Sequence, residues 1–409
     1  MTRVALLPSA YPPSVGGVEE LTRHLALHLV AAGHHVEVWT GNPDDAGAES
    51  AGIMDGIVVR RLPMPLPATN AGALWRTGTI GPRTLRSLHR AVSEFHPDLL
   101  HVQCFGPNGT YATALAQLTG LPLVVTLQGE TLMDDADIFE HSQVLRASLR
   151  TGLRQAAAVT ACSAFTLADA VDRFGLPAGA GTVIPNAVDL GAGVPVADGR
   201  PGPLLEGRPY VLALGRVVPK KGFDLLLAGY AAMDPGRRTA DLVIGGAGPA
   251  LVDLEAQAEE SGIGERVHFV GRMDREEVAV AMAGAEVLVV PSRLEPFGIV
   301  ALEGWRAGTA VVATSRGGAP EFIEDGVTGL LVDPVDTAAV AHALERLLGD
   351  EALRRSVAAA GHRAVEAFAW PAVTDRYVDC YRAVLARRRR PRRPWAPRPP
   401  ASGLPRGAA

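Results

Sequence analysis

Short apolar runs alternate with longer helix-like stretches through most of the chain. In the first half, the apolar runs have the length of strands and cover residues 4–7, 35–39, 57–60, 98–102, 122–127 and 157–161. Helix-like stretches lie between them, near 18–32, 83–95, 109–119, 140–155 and 163–174. Short buried strands that alternate with helices are typical of parallel sheets in α/β layers. The first half therefore predicts a Rossmann-like domain.

The second half repeats this alternation. Its strand-like runs are 210–214, 241–244, 266–270, 286–290 and 309–313, and its helices lie near 222–232, 249–261, 274–284, 299–306 and 336–349. Between the two sets, residues 191–208 are rich in Gly and Pro and are predicted to be a linker. We therefore predict an α/β protein with two Rossmann-like domains, at 1–190 and 209–370. Ligands of such sheets bind at the carboxyl ends of the strands, so the cleft between the domains is the expected site.

The composition is that of a soluble globular protein. The chain has 409 residues, of which 47% are hydrophobic and 20% are charged, and its length predicts two or three domains. No apolar run approaches the roughly 18 residues of a membrane-spanning helix. The first residues enter a strand without a signal-peptide cleavage pattern. Cys104, Cys162 and Cys380 are few and widely spaced, which favours a reducing cytoplasm.

Positive charge is concentrated at the carboxyl end. The formal net charge is −5, but residues 387–409 hold eight arginines and no acid, which leaves a net charge of −13 on the rest of the chain. This Arg/Pro-rich tail cannot build a core and is predicted to be disordered. The tail either serves only to solvate the end of the chain or contacts the anionic inner face of a membrane. Nucleic acid is the less favoured partner, because the rest of the chain is acidic.

Lysine occurs only at Lys220 and Lys221, whereas the other 37 basic residues are arginine. Both lysines follow the predicted strand 210–214, in a loop that also contains Arg216. Arginine can clamp a phosphate bidentately, and lysine supplies a mobile point charge. The loop is therefore either a phosphate site or an ordinary solvated turn.

Two glutamates, Glu295 and Glu303, lie eight residues apart after another predicted strand. In one continuous helix they would be about 12 Å apart on one face. However, Pro296 and Gly298 place Glu295 in a loop before a helix that is predicted to begin near Ile299. This arrangement lets both carboxylates border one pocket near the helix N-terminus, where backbone N–H groups attract anions.

Together, Arg216, Lys221, Glu295 and Glu303 resemble the donor site of retaining GT-B glycosyltransferases, and specifically of glycosyltransferase family 4, which carries an E-x7-E motif and this basic pair. The resemblance extends from Val4 to about Ala386. It implies the GT-B fold, in which the last helix, here 371–386, crosses back onto the N-terminal domain. It also implies that a nucleotide-diphosphate sugar is the donor.

The resemblance implies further donor contacts. Gly17 is expected near the donor diphosphate, and Arg272 near the nucleotide base. The backbone N–H groups of Phe297, Gly298 and Ile299 are expected to help Glu295 hold the sugar hydroxyls, while Glu303 binds the ribose. The glycine turn at 245–248 resembles the turn beside the nucleotide, although any strand-to-helix turn would have the same glycines.

Two positions depart from the family pattern. Gln128 stands where many members have a histidine that contacts the donor sugar, and Ala187 replaces the usual glycine of the interdomain segment. Glutamine cannot act as a base, but its amide can bind sugar hydroxyls. A retaining mechanism does not need that base, because the leaving diphosphate can accept the proton of the acceptor. We therefore retain Gln128 as a donor-binding residue.

No metal is expected. The spacing of Asp134, Asp135 and Asp137 fits the D-x-D motif of metal-dependent transferases, but these acids lie before a predicted helix, where acids favour the N-terminus. Arg216 and Lys221 can neutralise a leaving diphosphate without a metal.

The sequence therefore predicts a retaining, metal-independent glycosyltransferase whose acceptor, base and sugar stay open. A GT-B nucleotide-sugar epimerase and a non-catalytic sugar-nucleotide-binding protein are the alternatives. A Rossmann dehydrogenase is disfavoured, because the first strand is not followed by G-x-G-x-x-G. The segment 63–82, with Leu66, Leu74 and Trp75, is predicted to be a loop that is buried, covers the acceptor or touches a membrane.

Overall fold

The computed structural model describes residues 1–14, 16–42, 49–65, 71–134, 137–191, 205 and 207–389. In this part of the chain, the strands form one sheet of eight and one of six. Their bounds are β1 Arg3–Pro8, β2 His35–Gly41, β3 Ser50–Met54, β4 Ile57–Leu62, β5 Leu99–Gln103, β6 Leu123–Leu127, β7 Ala158–Ala161, β8 Gly181–Val183, β9 Tyr210–Leu214, β10 Asp241–Gly245, β11 Val267–Gly271, β12 Val287–Val290, β13 Ala310–Thr314 and β14 Leu330–Val332.

The helices connect these strands and cover both faces of each sheet. Their bounds are α1 Gly17–Ala31, α2 Ala71–Phe95, α3 Pro107–Thr119, α4 Glu130–Met133, α5 Ile138–His141, α6 Gln143–Gln155, α7 Ala164–Phe174, α8 Phe223–Ala232, α9 Leu251–Glu260, α10 Arg275–Gly284, α11 Ile299–Arg306, α12 Thr337–Gly349, α13 Glu351–Ala364 and α14 Trp370–Arg389. No helix in the described residues is long and apolar enough to cross a bilayer.

The first sheet has the order β3-β4-β2-β1-β5-β6-β7-β8, and the second has the order β11-β10-β9-β12-β13-β14. All neighbours are parallel except β3 and β4, which pair as an antiparallel hairpin. The two residues between β3 and β4, Asp55 and Gly56, both have positive φ, which suits a tight hairpin turn. In both sheets the order reverses next to the first strand of its set, where α/β folds bind ligands.

The last helix belongs to the core of the N-terminal domain. Trp370, Tyr377 and Tyr381 of α14 are buried in the cluster that also holds Leu25 and Leu29 of α1. The ring of Trp370 stacks on His24 and His28, with centroids 5.6 and 5.7 Å apart. The predicted crossing of the C-terminal helix back onto the first domain is therefore confirmed, as is the two-sheet α/β fold.

Some elements differ from the prediction. Helix α2 begins at Ala71, so most of the predicted loop 63–82 is helical, with Pro82 inside the helix. The predicted helix 140–155 is divided into α5 and α6, because Ser142 caps α6 by accepting a hydrogen bond from the Leu145 N–H at 3.2 Å. The short edge strands β3, β8 and β14 and helix α13 were not predicted from the sequence.

The predicted linker and tail fall largely outside the described residues. Of the segment 191–208, only 191, 205, 207 and 208 are described. Helix α14 continues to Arg389, three residues beyond the predicted end of the crossing helix. The remaining tail, 390–409, lies outside the described part of the chain. The domain limits drawn from the sequence stay predictions.

Candidate active site between the two domains

The carboxyl ends of the two sheets face each other across a narrow cleft. A Cβ atom on Gly129, which follows β6, would lie 2.2 Å from Cγ of Pro296, which follows β12. A Cβ on Gly17 would lie 3.8 Å from Cδ1 of Ile299. Gly129 has φ +86°, so both its conformation and its close neighbour require glycine. The predicted donor residues Gly17 and Ile299 are therefore brought together from opposite domains.

The loop of Arg216 rests on the glycine turn after β10. A Cβ on Gly246 would lie 1.8 Å from the carbonyl oxygen of Gly215, and one on Gly248 would lie 2.2 Å from that of Val217. The Val217 N–H also donates to the Ala247 carbonyl at 3.0 Å. These glycines therefore let two backbones approach closely, and the contact fixes the loop that carries Arg216.

Lys221 and Glu295 form an ion pair at the centre of the cleft. Nζ of Lys221 lies 2.8 Å from Oε2 of Glu295, and the Ser292 hydroxyl donates to the same oxygen at 2.7 Å. Their side chains are only 19% and 11% exposed, so water screens the pair weakly. The basic loop and the first glutamate, which lie far apart in the sequence, meet at this pair.

A second ion pair holds these two loops together. Both terminal nitrogens of the Arg293 guanidinium bind the carboxylate of Asp224 at 2.6 Å, and one also donates to the Pro219 carbonyl at 2.8 Å. A bidentate pair of this kind fixes direction as well as distance. The Asp224 carboxyl keeps a lowered pKa because Arg293 outweighs the effect of burial. Arg293 thus positions Lys221 beside Glu295.

Glu303 lies on α11, about one turn from the amino end of the helix. The residue is half-buried, and burial raises the pKa of its carboxyl, against the opposing effect of the Arg306 and Arg275 guanidinium groups. Among the described residues, its carboxylate has no hydrogen-bond donor as a partner. A half-buried carboxylate in this state can accept hydrogen bonds from paired hydroxyl groups.

The three predicted backbone donors lie where the chain enters α11. Gly298 precedes the helix with φ +101°, and Ile299 is its first residue. The Phe297 side chain is buried in the core and stacks on Phe322, with ring centroids 4.9 Å apart. Phe297 can therefore contribute only its backbone, and the first N–H groups of α11 point toward the cleft as helix termini do.

The N-terminal side of the cleft presents Gln128 and Glu130. The Glu130 carboxylate accepts hydrogen bonds from the N–H groups of Phe105 at 2.6 Å and Gln128 at 2.7 Å. Burial raises the pKa of Glu130 to about 7. This carboxylate joins the loops after β5 and β6, and no motif in the sequence indicated that role.

The Gln128 side chain lies near the interdomain segment that contains Ala187. It donates to Oε1 of Gln103 at 3.3 Å, and its own carbonyl oxygen is buried without a partner among the described residues. Gln128, Ala187 and Trp370 together line one small cavity. The structure does not bring Gln128 into contact with Lys221 or Glu295, and its donor-binding role stays a prediction.

Lys220 spans the cleft, although its neighbour Lys221 carries the phosphate prediction. Its Nζ donates to the carbonyl oxygens of Leu132 at 3.2 Å and Asp134 at 2.5 Å, and to Oδ1 of Asp137 at 2.7 Å. From the same side, the Glu321 carboxylate accepts from the first two N–H groups of α7, at 2.7 and 2.8 Å. Both contacts join the two domains, and neither could be predicted from the sequence, because each needs a partner in the other domain.

The remaining predicted residue, Arg272, is exposed and lies just after β11. The residue before it, Gly271, accepts a hydrogen bond from the Gly246 N–H at 2.7 Å, so Arg272 follows directly on a contact with the glycine turn. In the described residues no cluster of His, Cys, Asp or Glu has the geometry of a metal site. Asp134 instead accepts from the Ile138 N–H at 2.6 Å, as acids before a helix do.

Comparison with known proteins identifies this arrangement. The model of "Glycosyltransferase Family 4" matches residues 15–192, and that of "Glycosyl transferases group 1" matches residues 199–364. The alpha-D-kanosaminyltransferase of Streptomyces kanamyceticus is 30% identical over 314 residues, which cover 73% of this chain and 81% of that protein. The chain belongs to glycosyltransferase family 4.

Other relatives of this glycosyltransferase cover nearly its whole length. The glycogen synthase of Mycobacterium tuberculosis is 29% identical over 411 residues, or 95% of this chain and 96% of that protein. The solved structure of a sucrose-phosphate synthase from Thermosynechococcus elongatus is 27% identical and covers 95% of this chain and 100% of its own, with a TM-score of 0.79. These relatives act on different acceptors by name, so the acceptor of this glycosyltransferase does not follow from them.

Proposed function

We propose that this glycosyltransferase moves a sugar from a nucleotide-diphosphate sugar to its acceptor with retention of configuration and without a metal ion. The observation that carries the proposal is the Lys221–Glu295 pair, 2.8 Å between Nζ and Oε2, at the cleft beside the Arg216 loop. A diphosphate and the sugar attached to it are adjacent groups. A cation and a carboxylate in contact suit such a ligand.

In the proposed reaction, the bond between the anomeric carbon and the diphosphate oxygen breaks, and its electron pair stays on the diphosphate. Lys221 and Arg216 stabilise the charge that develops there, in a site that is largely closed to water. The leaving oxygen takes the proton of the acceptor hydroxyl, whose oxygen forms the new bond on the same face of the sugar. No side-chain base is needed.

The two glutamates have separate roles in this proposal. Burial raises the pKa of the Glu303 carboxyl, which has no hydrogen-bond donor as a partner among the described residues. In this proposal it accepts hydrogen bonds from the two hydroxyls of the ribose. Glu295 accepts hydroxyls of the donor sugar through Oε1, since Lys221 and Ser292 both bind Oε2. The N–H groups at the start of α11 assist it. When the donor enters, Lys221 exchanges part of its bond to Glu295 for the diphosphate.

We place the enzyme in the cytoplasm, with its Arg-rich tail against the anionic inner face of the membrane. Its three cysteines are free, and Cys104 and Cys162 are buried. The tail places eight arginines at one end of an acidic chain. The proposal includes no nucleic-acid partner.

A thermal-shift screen against UDP-, GDP- and ADP-sugars tests the donor. A ligand at 100 times its dissociation constant stabilises the fold by about 2.7 kcal/mol. Transfer to an acceptor mixture, with the anomeric proton followed by NMR, then tests retention. A product of inverted configuration contradicts the proposed mechanism.

Two alternatives give different results in the same experiments. An epimerase changes the donor sugar without any acceptor. A non-catalytic binding protein shows the thermal shift but leaves the donor intact with every acceptor. Either result would replace the proposed function.

A further inference from the structure

One helical layer of the N-terminal domain carries almost only positive charge. Helices α2, α3 and α6 pack on the same face of the first sheet, where Leu88, Leu115 and Leu149 share one core cluster. These three helices contain seven arginines and a single acid, Glu94. We call them the basic layer. The rest of the chain is acidic, so this layer stands out against its own protein.

The absence of acids extends beyond the helices themselves. No Asp or Glu occurs at 56–93, at 99–129 or at 141–168, and these segments supply all of α3, all of α6 and all of α2 up to Ser93. One acid, Glu49, reaches α2 from outside the helix, and the other, Glu94, lies on α2 itself. Glu49 accepts a hydrogen bond from the Ser87 hydroxyl, and Glu94 is bonded to Arg60 at 2.6 Å.

Three arginines of α2 face solvent on one side of the helix. Arg83, Arg86 and Arg90 are exposed and lie at a spacing of three and four residues, which places them in one row. None of them forms an ion pair with a described residue. The Arg86 Nε donates only to the carbonyl of Pro82, at 3.3 Å. Their positive charge therefore faces solvent and is not neutralised by an ion pair with any described residue.

Apolar features accompany this row. Trp75, on the first turns of α2, is 70% exposed, whereas Trp39, Trp305 and Trp370 are at most 4% exposed. A mostly apolar cavity of about 240 Å³ lies between α2 and α3, lined by Thr77, Gly81, Pro82, Leu85, Tyr111 and Ala114. An exposed tryptophan beside arginines and an open apolar cavity match the interface of a bilayer, where aromatic rings lie at the level of the headgroups.

We propose that the basic layer, through the outer face of α2, docks this glycosyltransferase on an anionic lipid bilayer. Arg83, Arg86 and Arg90 contact the lipid phosphates, and Trp75 enters the headgroup region. Helix α2 begins at the carboxyl edge of the sheet, so docking brings the mouth of the interdomain cleft to the lipid surface. This surface is separate from the C-terminal tail, and its docking does not depend on the chemistry in the cleft.

A nucleic acid is the other polyanion that such a row can attract, but the features around the row favour lipid. Nucleic-acid surfaces use aromatic rings to stack on exposed bases, and they need a groove of positive charge that follows the strand. Here the row is single, one helix long, and flanked by an apolar cavity. Duplex DNA is therefore included in the test as a competing ligand.

The main experiment is co-sedimentation of the full chain with vesicles of phosphatidylcholine, alone or mixed with phosphatidylglycerol. Replacing Arg83, Arg86 and Arg90 by Gln should lower partition onto the mixed vesicles by roughly 10²-fold, because each basic residue near such a surface contributes a factor of about five. The matched control replaces the exposed Arg355, Arg363 and Arg376 of the C-terminal half by Gln, with the same change of charge. It should alter partition by less than about threefold at a distance beyond the Debye length.

The same comparison in a chain that ends at residue 389 separates this surface from the tail. Equal loss in the α2 variant and in the control overturns the proposal, and so does binding that disappears completely with the tail. Binding to duplex DNA that weakens in the α2 variant, with no binding to vesicles, also overturns it. An unchanged melting temperature shows that the α2 variant is folded.

Tryptophan fluorescence provides a second and independent test. In a chain with Trp395→Phe, Trp75 is the exposed tryptophan among the described residues, so its emission dominates any response to lipid. Mixed vesicles should shift the emission to shorter wavelength, and Trp75→Phe should remove that shift. A shift that persists in the Trp75→Phe chain contradicts insertion of α2.

Discussion

The two sides of the cleft hold their polar groups in opposite ways. On the C-terminal side, the functional groups are side chains: Lys221 binds Glu295, and Arg293 clamps the two loops together. On the N-terminal side, the groups in contact are mostly backbone atoms, and the half-buried carboxylate of Glu130 accepts hydrogen bonds from two N–H groups. The first side presents a cation and a carboxylate to the cleft, and on the second side the polar groups hold loops together.

This difference explains why the C-terminal side of the cleft could be predicted from the sequence and the N-terminal side could not. A cation and a carboxylate that bind a diphosphate sugar must be specific residue types, and they leave a motif. A backbone group leaves no motif, because any residue can supply it. Four measurements test this contrast between the two sides.

The largest effect is expected for Lys221→Ala, which should lower the turnover of donor by a factor of roughly 10² or more, as loss of one charge-stabilising group at a transition state does. Steady-state kinetics measure it. Lys220→Ala is the matched control, since it removes the same charge one residue away but loses only contacts to the other domain. Equal and mild losses in both variants would show that the loop does not bind phosphate.

A smaller effect is expected for nucleotide affinity. Glu303→Ala should weaken binding of the free nucleoside diphosphate by roughly 10- to 100-fold, the value of a charge-assisted hydrogen bond of about 1.5–3 kcal/mol. Glu295→Ala should leave that affinity nearly unchanged and lower turnover instead. Calorimetric titration separates them. If both variants bind nucleotide like the parent, the two roles are assigned wrongly.

On the N-terminal side, Glu130→Gln should lower the free energy of unfolding by about 1–3 kcal/mol, because an amide nitrogen cannot accept from a backbone N–H. The change should also depend on pH. The folded chain raises the pKa of Glu130 to about 7, so between about pH 4.5 and 7 it binds this proton more tightly than the unfolded chain. The Glu130 contribution to stability therefore falls as pH rises through this window.

Denaturant unfolding of the parent and of Glu130→Gln between pH 5 and 7.5 measures this dependence. The difference in stability between the two chains should shrink as pH rises, and Glu130→Ala is the control that also removes the acceptor. A difference that does not change with pH would mean that Glu130 stays ionised throughout.

The smallest effect is expected for the tail. Deleting residues 390–409 should leave donor turnover nearly unchanged and change the free energy of unfolding by less than about 0.5 kcal/mol, because an Arg/Pro segment adds no core. Vesicle binding at low salt should fall, and the loss should disappear at high salt, where the Debye length is short. A marked loss of stability would show that the tail packs on the body.

The sequence predicted the strands and the donor side because both leave repeating or specific patterns. The alternation of apolar runs located strands such as β1 and β9, and Pro296 and Gly298 between Glu295 and Glu303 located the loop that precedes α11. It missed β3, although the pair Asp55-Gly56 was a hairpin signal. The segment 63–82 was predicted to be a loop because it is rich in Pro and Gly, but α2 begins at Ala71 and contains Pro82 at an exposed position. The contacts of Lys220 and Glu321 could not be predicted, because each depends on how the two domains meet.

The contacts between the domains have a consequence for how the sequence of one domain can change. Lys220 binds the carbonyls of Leu132 and Asp134, and Glu321 binds the N–H groups of Ala164 and Phe165. These contacts recognise the course of the main chain and are indifferent to most side chains on it. Side chains on these loops can therefore change without loss of the contacts that join the two domains. The N-terminal half can thus diverge in sequence while the C-terminal half and its contacts to the other domain stay the same.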